Sequence, residues 1–301
     1  MSYKRIPKIE PSGSFSARGA QIKDIVKRAL REDIGRGDIT TKLLFPKAKI
    51  IEAHILAGEK GIVCGMNIAR LAFKLQDNNV RFTPQVSDGD RIERGEILAR
   101  IYGKASSILA SERVALNFLG MLSGIATRTA CFVNKIRNYG VKIMDTRKTL
   151  PGLRELEKYA VKIGGGYNHR FRLDEMVLIK DNYLNALSAV RPASYVEKII
   201  KIIKKKKPKN VKLEIEVKNL REFKEALKAK PDIIMLDNMG VDEIKKAVAI
   251  KRKMQLEASG NINLKNISDY ARSGVDFISL GTLTKDIHSL DLSLEIIKEG
   301  R

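Results

Sequence analysis

Residues able to do chemistry recur along this chain, each just after a short apolar run. In order they are Arg147 and Lys148, Lys180 with Asp181 and Asn182, Glu216, Asp237 with Asn238, Ser259 with Gly260, and Gly281 with Thr282. Arg147, Lys148 and Lys180, joined by His169 and Arg170 from Gly164-Gly165-Gly166-Tyr167-Asn168-His169-Arg170, can hold a substrate with more than one carboxylate or phosphate. Arginine forks match carboxylate oxygens two at a time and so orient as well as neutralise. Glu216 and Asp237 are hard oxygen donors of the kind that surround Mg²⁺ beside phosphate oxygens. An ion pair with Lys148 or Lys180 is a second reading of these carboxylates, and both can hold at once. The Ser259-Gly260 and Gly281-Thr282 turns offer backbone N–H groups to a phosphate. An isolated Arg-Lys pair reads as a solvated turn. Six polar strand ends in succession read as one site, which joins a polycarboxylate to a Mg²⁺-bound phosphorylated sugar or similar donor.

The elements that must position these groups alternate in type. Strands are predicted at Val141–Met144, Met176–Ile179, Val211–Val217, Asp232–Leu236, Met254–Ala258 and Val275–Leu280, and helices at Gly152–Ile163, Ser188–Lys204, Asn219–Lys228, Val241–Arg252 and Leu264–Arg272. That alternation argues for a parallel sheet with helices outside it, closed or nearly closed as a barrel, whose C-terminal strand ends converge on one mouth. Pro151 is expected to open the helix after the first of these strands. Ahead of them, Gln21–Arg31 has helical spacing, Glu32–Thr41 reads as a polar loop, and Ile50–Ile55, Gly61–Cys64 and Val80–Val86 read as strands around a short helix at Ile68–Leu75. Val86–Gly103 has short strands between Asp-Gly and Arg-Gly turns and resembles half of a lipoyl-type hairpin domain, without a lysine at the hairpin tip. The helical run Ile108–Arg128 carries Arg113, a guanidinium in a largely apolar helix that either meets an anionic partner or lies on an exposed face.

Composition bounds the rest. The 301 residues, 44% of them hydrophobic, suit two domains. The net charge of +22 implies a polyanionic partner or a small, densely anionic substrate. Lys204-Lys205-Lys206-Lys207 is the densest basic run; it reads as a solvated face, with nucleic-acid binding as the sharper alternative. Cys64 and Cys131 alone cannot build a disulfide framework or a four-cysteine zinc site. His54 reads as a packed or edge residue and His288 as part of the tail, so transition-metal ligation is not expected. Nucleophile elbows, Walker loops and dinucleotide fingerprints are missing from the sequence. With no apolar run judged of membrane-spanning length and no secretory core in the first twenty residues, a cytoplasmic enzyme is expected.

Taken together, Asp145-Thr146-Arg147-Lys148-Thr149-Leu150-Pro151-Gly152-Leu153-Arg154, Gly164-Gly165-Gly166 with Asn168-His169-Arg170, Ile179-Lys180-Asp181-Asn182, Glu214-Ile215-Glu216-Val217, Met235-Leu236-Asp237-Asn238 and Glu257-Ala258-Ser259-Gly260 resemble the quinolinate phosphoribosyltransferase family, in the same order over nearly the whole chain. The resemblance implies an α/β fold, an N-terminal α/β sandwich domain followed by an incomplete, open β/α barrel, with residues 1–117 plus 288–301 in the first domain and 118–287 in the second. It implies that quinolinate and phosphoribosyl pyrophosphate become nicotinate mononucleotide, pyrophosphate and CO₂ on the de novo route to NAD. A related enzyme taking nicotinate or another acceptor is the alternative. Carried over, Arg113, Thr146, Arg147, His169, Arg170 and Lys180 bind quinolinate, with Arg113 reaching the neighbouring subunit's site in a homodimer; the resemblance leaves open whether such dimers build a hexamer. Lys148, Glu216 and Asp237 are the catalytic set, Glu216 and Asp237 also the Mg²⁺ ligands, and Ser259, Gly260 and Gly281 hold the 5-phosphate.

Overall fold

The computed structural model describes residues 15–45, 47–187 and 194–297. Helix α1 (Phe15–Ile34) buries Val26 and Leu30 from the predicted stripe and runs on to Ile34, stopping where Gly35 turns to a φ of +55°. Helix α2 (Ile39–Leu44) lies in the segment that reads as loop: Asp38 accepts the Thr41 N–H at 3.1 Å, a side-chain cap that apolar spacing does not register. The chain continues through β1 (Ile50–Ala57), β2 (Gly61–Ile62), α3 (Met66–Gln76), β3 (Arg81–Pro84), β4 (Arg91–Ile92), β5 (Ile97–Lys104) and α4 (Ala105–Lys135). Next come β6 (Lys142–Met144), α5 (Arg154–Ile163), β7 (Met176–Ile179), α6 (Asp181–Leu187), α7 (Tyr195–Lys206), β8 (Lys212–Val217) and α8 (Leu220–Ala229). The rest are β9 (Ile233–Asp237), α9 (Val241–Ile250), β10 (Gln255–Ser259), α10 (Ile267–Arg272), β11 (Phe277–Ser279), α11 (Thr282–Lys285) and β12 (Leu292–Ile296). The predicted helix Ser188–Lys204 begins in part outside the described residues; its described portion is α7.

Two compact units result. The first holds the chain up to Arg128, Leu150–Gly165 and the segment from Asp286. Its main sheet runs β12-β1-β5-β3, antiparallel throughout, so β12 of the tail pairs with β1 of the N-terminal unit. Val86–Gly103 is not a hairpin: β4 has only two residues and pairs with β2, while the eight-residue β5 makes the longer ladders with β1 and β3. Gly120 and Gly124 sit in α4 where the returning chain crosses it. A Cβ at Gly124 would overlap the His288 carbonyl, and the Gly120 carbonyl accepts the Leu290 N–H at 2.9 Å. Helix α4 is long and apolar enough to cross a bilayer by length and composition, which corrects the expectation of no such run. As 67% of its apolar window is buried inside the fold, that apolarity serves the core. Pro151 lies in a turn instead of opening a helix, because Gly152 adopts a φ of +81° that a first helical turn cannot hold; α5 starts at Arg154.

The second unit, Thr129–Thr149 with Gly166–Lys285, is built on six parallel strands in the order β6-β11-β10-β9-β8-β7. Strands β6 and β7 are its two edges, so the barrel is open, as predicted. One face is apolar: Leu213, Ile215, Val217, Ile234, Leu236, Leu256, Ala258 and Ile278 are buried, with α8 packed on β8 and β9. The other face is not. The registers Glu216↔Met235, Glu257↔Met235 and Ser259↔Asp237 put Glu214, Glu216, Asp237, Glu257 and Ser259 on one side of the sheet, since side chains alternate along each strand. A buried polar face demands partners, and those partners define the site. The basic run ends α7: Lys204 donates to the carbonyls of Ala229 and Lys230 and Lys207 to that of Val211, so part of it closes helix and loop ends.

Candidate active site

The loop after β6 is tied down from three sides. Asp145 is fully buried and accepts the His169 N–H at 2.9 Å, which fastens the β6 end to the Gly166–Arg170 segment beside it. Thr146 Oγ1 accepts the Lys148 N–H at 3.0 Å, and Thr284, also fully buried, donates to the Lys148 carbonyl at 2.7 Å. The Lys148 side chain crosses Gly281, where an added Cβ would lie 3.0 Å from Lys148 Cδ. Three residues singled out by sequence, Thr146, Lys148 and Gly281, therefore meet at the ends of β6 and β11.

Arg147 and Arg170 form the second group. Each has its Nε buried without a hydrogen-bond acceptor among the described residues, while Arg170 Nη1 donates to the Met176 carbonyl at 2.8 Å. Burial and, next, the Arg147 charge hold the Arg170 guanidinium below its ordinary proton affinity. Two neighbouring guanidiniums with unused buried donors are arranged to receive an anion.

His169 is buried beside β8 and β10. It is 8% exposed, its Nδ1 accepts the Arg170 N–H at 2.8 Å, and its Nε2 lies 3.0 Å from Glu214 and 3.7 Å from Glu257. Since Nδ1 accepts, the ring proton sits on Nε2 and is donated to Glu214. Both nitrogens are engaged within the chain, and a direct contact with a substrate carboxylate would have to break one of these bonds. The histidine braces the backbone that carries Arg170. The ligand atoms of His169, Glu214 and Glu257 all lie within 4.8 Å of one another. Burial pushes the Glu214 carboxyl up to about 7; burial first and then the charge of Glu214 push Glu257 up to about 8. Two such carboxyls so close keep a proton at neutral pH. Neither was singled out from sequence, although a carboxylate between apolar neighbours in a buried central strand, Leu213-Glu214-Ile215 or Leu256-Glu257-Ala258, is the available signal.

The two glutamates of β8 have separate work. Glu214 faces His169, while Glu216, which is buried, accepts from Lys180 at 3.1 Å. Asp237, half-buried at the end of β9, accepts from Asn238 Nδ2 at 2.9 Å. Lys218, also missed, bonds Asp181 at 2.6 Å; that bond raises its proton affinity, as do the more distant charges of Asp237 and Glu216. Ser259 ends β10, and Gly260 follows it at a φ of +93°. Arg113 is not among these groups: it lies on α4 in the first unit, exposed, beside buried Val114 and Leu116. A groove of about 540 Å³ in that unit, lined by Ile25, Arg28, Arg31 and Glu155 among others, contains none of the predicted site residues.

Two family models, the N-terminal and C-terminal domains of quinolinate phosphoribosyl transferase, match residues 38–123 and 125–295. The chain belongs to the quinolinate phosphoribosyl transferase family. A relative from Bacillus subtilis, named a probable nicotinate-nucleotide pyrophosphorylase (carboxylating), is 39% identical over 92% of this chain and 93% of its own. One of the same name from Methanocaldococcus jannaschii is 43% identical over 91% of this chain and 96% of its own. The solved nicotinate-nucleotide pyrophosphorylase of Francisella tularensis superposes with a TM-score of 0.85 at 38% identity, covering 98% of this chain and all of that one. The two family segments meet inside α4, so a single helix carries the chain from one family domain into the next.

Proposed function

We propose that the chain transfers the phosphoribosyl group of phosphoribosyl pyrophosphate to quinolinate with loss of CO₂, giving nicotinate mononucleotide and pyrophosphate for NAD synthesis. The observation that carries this is the Arg147–Arg170 pair, whose buried Nε–H groups lack acceptors, set in a family of that activity. These two guanidiniums, with Lys180, bind the quinolinate carboxylates and leave its ring nitrogen free to attack. A dicarboxylate uses all of these cations, whereas nicotinate leaves some unpaired at a cost of several kcal/mol, on the order of an orphaned buried charge.

Lys148, crossing Gly281 on a loop fixed by Thr284, stabilises charge on the departing pyrophosphate. The Ser259–Gly260 turn and Gly281 receive the 5-phosphate through backbone N–H groups. Glu216 and Asp237 fit Mg²⁺: both are hard oxygen donors from adjacent strands, paired here with Lys180 and Asn238 and not with each other. When bound, Mg²⁺ neutralises the pyrophosphate and makes it a better leaving group. Attack by the quinolinate nitrogen on the ribose carbon expels pyrophosphate and leaves that nitrogen positive; the bond from C2 to its carboxylate then breaks to release CO₂, the electron pair stays on C2 beside the positive nitrogen, and a proton from water fills that position. The residues supply position and electrostatics, so no covalent ribosyl adduct on lysine forms.

The working unit is a homodimer. Arg113 stands exposed on a helix whose neighbouring positions are buried, and in the dimer it completes the partner's quinolinate site, as the resemblance implies. We place the enzyme in the cytoplasm. Incubating the purified protein with quinolinate, phosphoribosyl pyrophosphate and Mg²⁺ tests the reading: nicotinate mononucleotide and CO₂ should appear together, and the absence of both refutes it. Mass spectrometry during turnover should find no ribosylated lysine.

A further inference from the structure

Asn238 adopts a φ of +54° in the left-handed region, which asparagine visits more readily than other non-glycine residues because its side chain can hydrogen-bond locally. Asn261, at +52°, is another of the five such non-glycine residues among those described, and the two side chains touch. Both are exposed, so neither amide is there to satisfy a buried group.

Their bonds have one consistent orientation. The Asp237 carboxylate only accepts, so the Asn238 NH₂ must face it, at 2.9 Å from Oδ2. Asn238 Oδ1 then faces away and accepts from Asn261 Nδ2 at 3.0 Å. The Asn238 backbone N–H donates to the Ser259 carbonyl at 2.8 Å, extending the β9–β10 ladder one step past the strand. A Cβ at residue 260 would overlap the Asn238 side-chain amide, so Gly260 is fixed by this contact as well as by its own backbone angle. Beyond the turn, Asn266 Nδ2 donates to the Asn261 carbonyl at 3.0 Å and anchors the assembly at the start of α10.

We propose that Asn238 is a positioning residue that clasps the Asp237 carboxylate to the Ser259–Asn261 turn, so that the pyrophosphate and 5-phosphate ends of one donor molecule are held in register. The proposal rests on the reading of these two subsites given above. Asparagine tolerates this backbone angle, and its amide is the side-chain link between the two; glycine would hold the same angle and keep the backbone bond to Ser259 but lose the side-chain link.

Asn238→Gly is therefore the informative variant, since glycine adopts the same backbone angle without strain. Its melting temperature should match or exceed that of the parent chain. Its KM for phosphoribosyl pyrophosphate should rise about tenfold and its kcat fall, as small misplacements of positioned groups do, while calorimetric affinity for quinolinate stays within about twofold. Ribose 5-phosphate, titrated without metal, should bind several-fold more weakly. Asn261→Ala, which cuts the clasp at its other end, should move the same constants in the same direction. Donor KM and kcat within twofold of the parent, or an equal loss toward quinolinate, would overturn the clasp. A parent chain that turns over no quinolinate refutes the functional reading separately, and ribose 5-phosphate binding then still decides on the clasp.

Discussion

Replacing Glu257 by glutamine should make the protein more stable, by a margin that grows as pH rises from about 5 to about 8. Glu257 is fully buried between Glu214 and His169, and its carboxyl titrates at about 8 in place of an ordinary 4.5. Between those values the folded chain holds a proton that the unfolded chain has released, so folding takes up a proton and stability falls as pH rises through that window. At about 1.4 kcal/mol per tenfold change in proton affinity, ionising Glu257 inside the fold costs at most about 5 kcal/mol. Glu214 shares the response, and relaxation of the cluster lowers the cost, so about 2 kcal/mol is the expected gain at pH 9, some 4–8 °C in a unit of this size. Glutamine keeps the volume and offers its NH₂ to Glu214, so the gain at pH 5 should be near zero. Thermal unfolding of Glu257→Gln and the parent chain, followed from pH 5 to 9, measures the difference directly. A melting difference that does not change with pH, or one that turns against the variant as pH rises, would refute the reasoning.

Other outcomes follow from the same geometry. Arg147→Ala should raise the KM for quinolinate by roughly 10- to 100-fold, the loss of one charge-assisted pair, with a much smaller effect on the donor; steady-state kinetics with each substrate varied in turn would test it. Gly281→Ala should cost less than about 1 kcal/mol of stability, because the added methyl meets the flexible Lys148 chain, yet lower kcat about tenfold by displacing that lysine; melting and kcat measured together check the split. Chelating divalent metal should abolish turnover reversibly without lowering the melting temperature, since Glu216 and Asp237 have protein partners without it; adding back Mg²⁺ should restore the rate.

Much of the second unit was legible because its strands are apolar runs cut off by polar turns. Met176–Ile179 was read to the residue, and the other five were placed within one or two residues at either end. Elements set by a single side chain or backbone angle were less legible. Helix α2 depends on the Asp38 cap, and α5 waits for Arg154 because Gly152 leaves helical space. At the site, the exposed strand ends stood out by residue type, whereas Glu214 and Glu257 did not. A carboxylate inside an apolar strand gains meaning only once the register shows that one face of the sheet is polar. For His169 the residue type suggested ligand binding, and only the geometry reveals that both ring nitrogens are used internally.

The most direct test of the account is a side-by-side assay of the purified chain with phosphoribosyl pyrophosphate, Mg²⁺ and either quinolinate or nicotinate. Nicotinate mononucleotide with equal CO₂ from quinolinate, and little product from nicotinate, is the result the two paired guanidiniums predict. Efficient turnover of nicotinate without quinolinate turnover would contradict it and assign these cations to a monocarboxylate site.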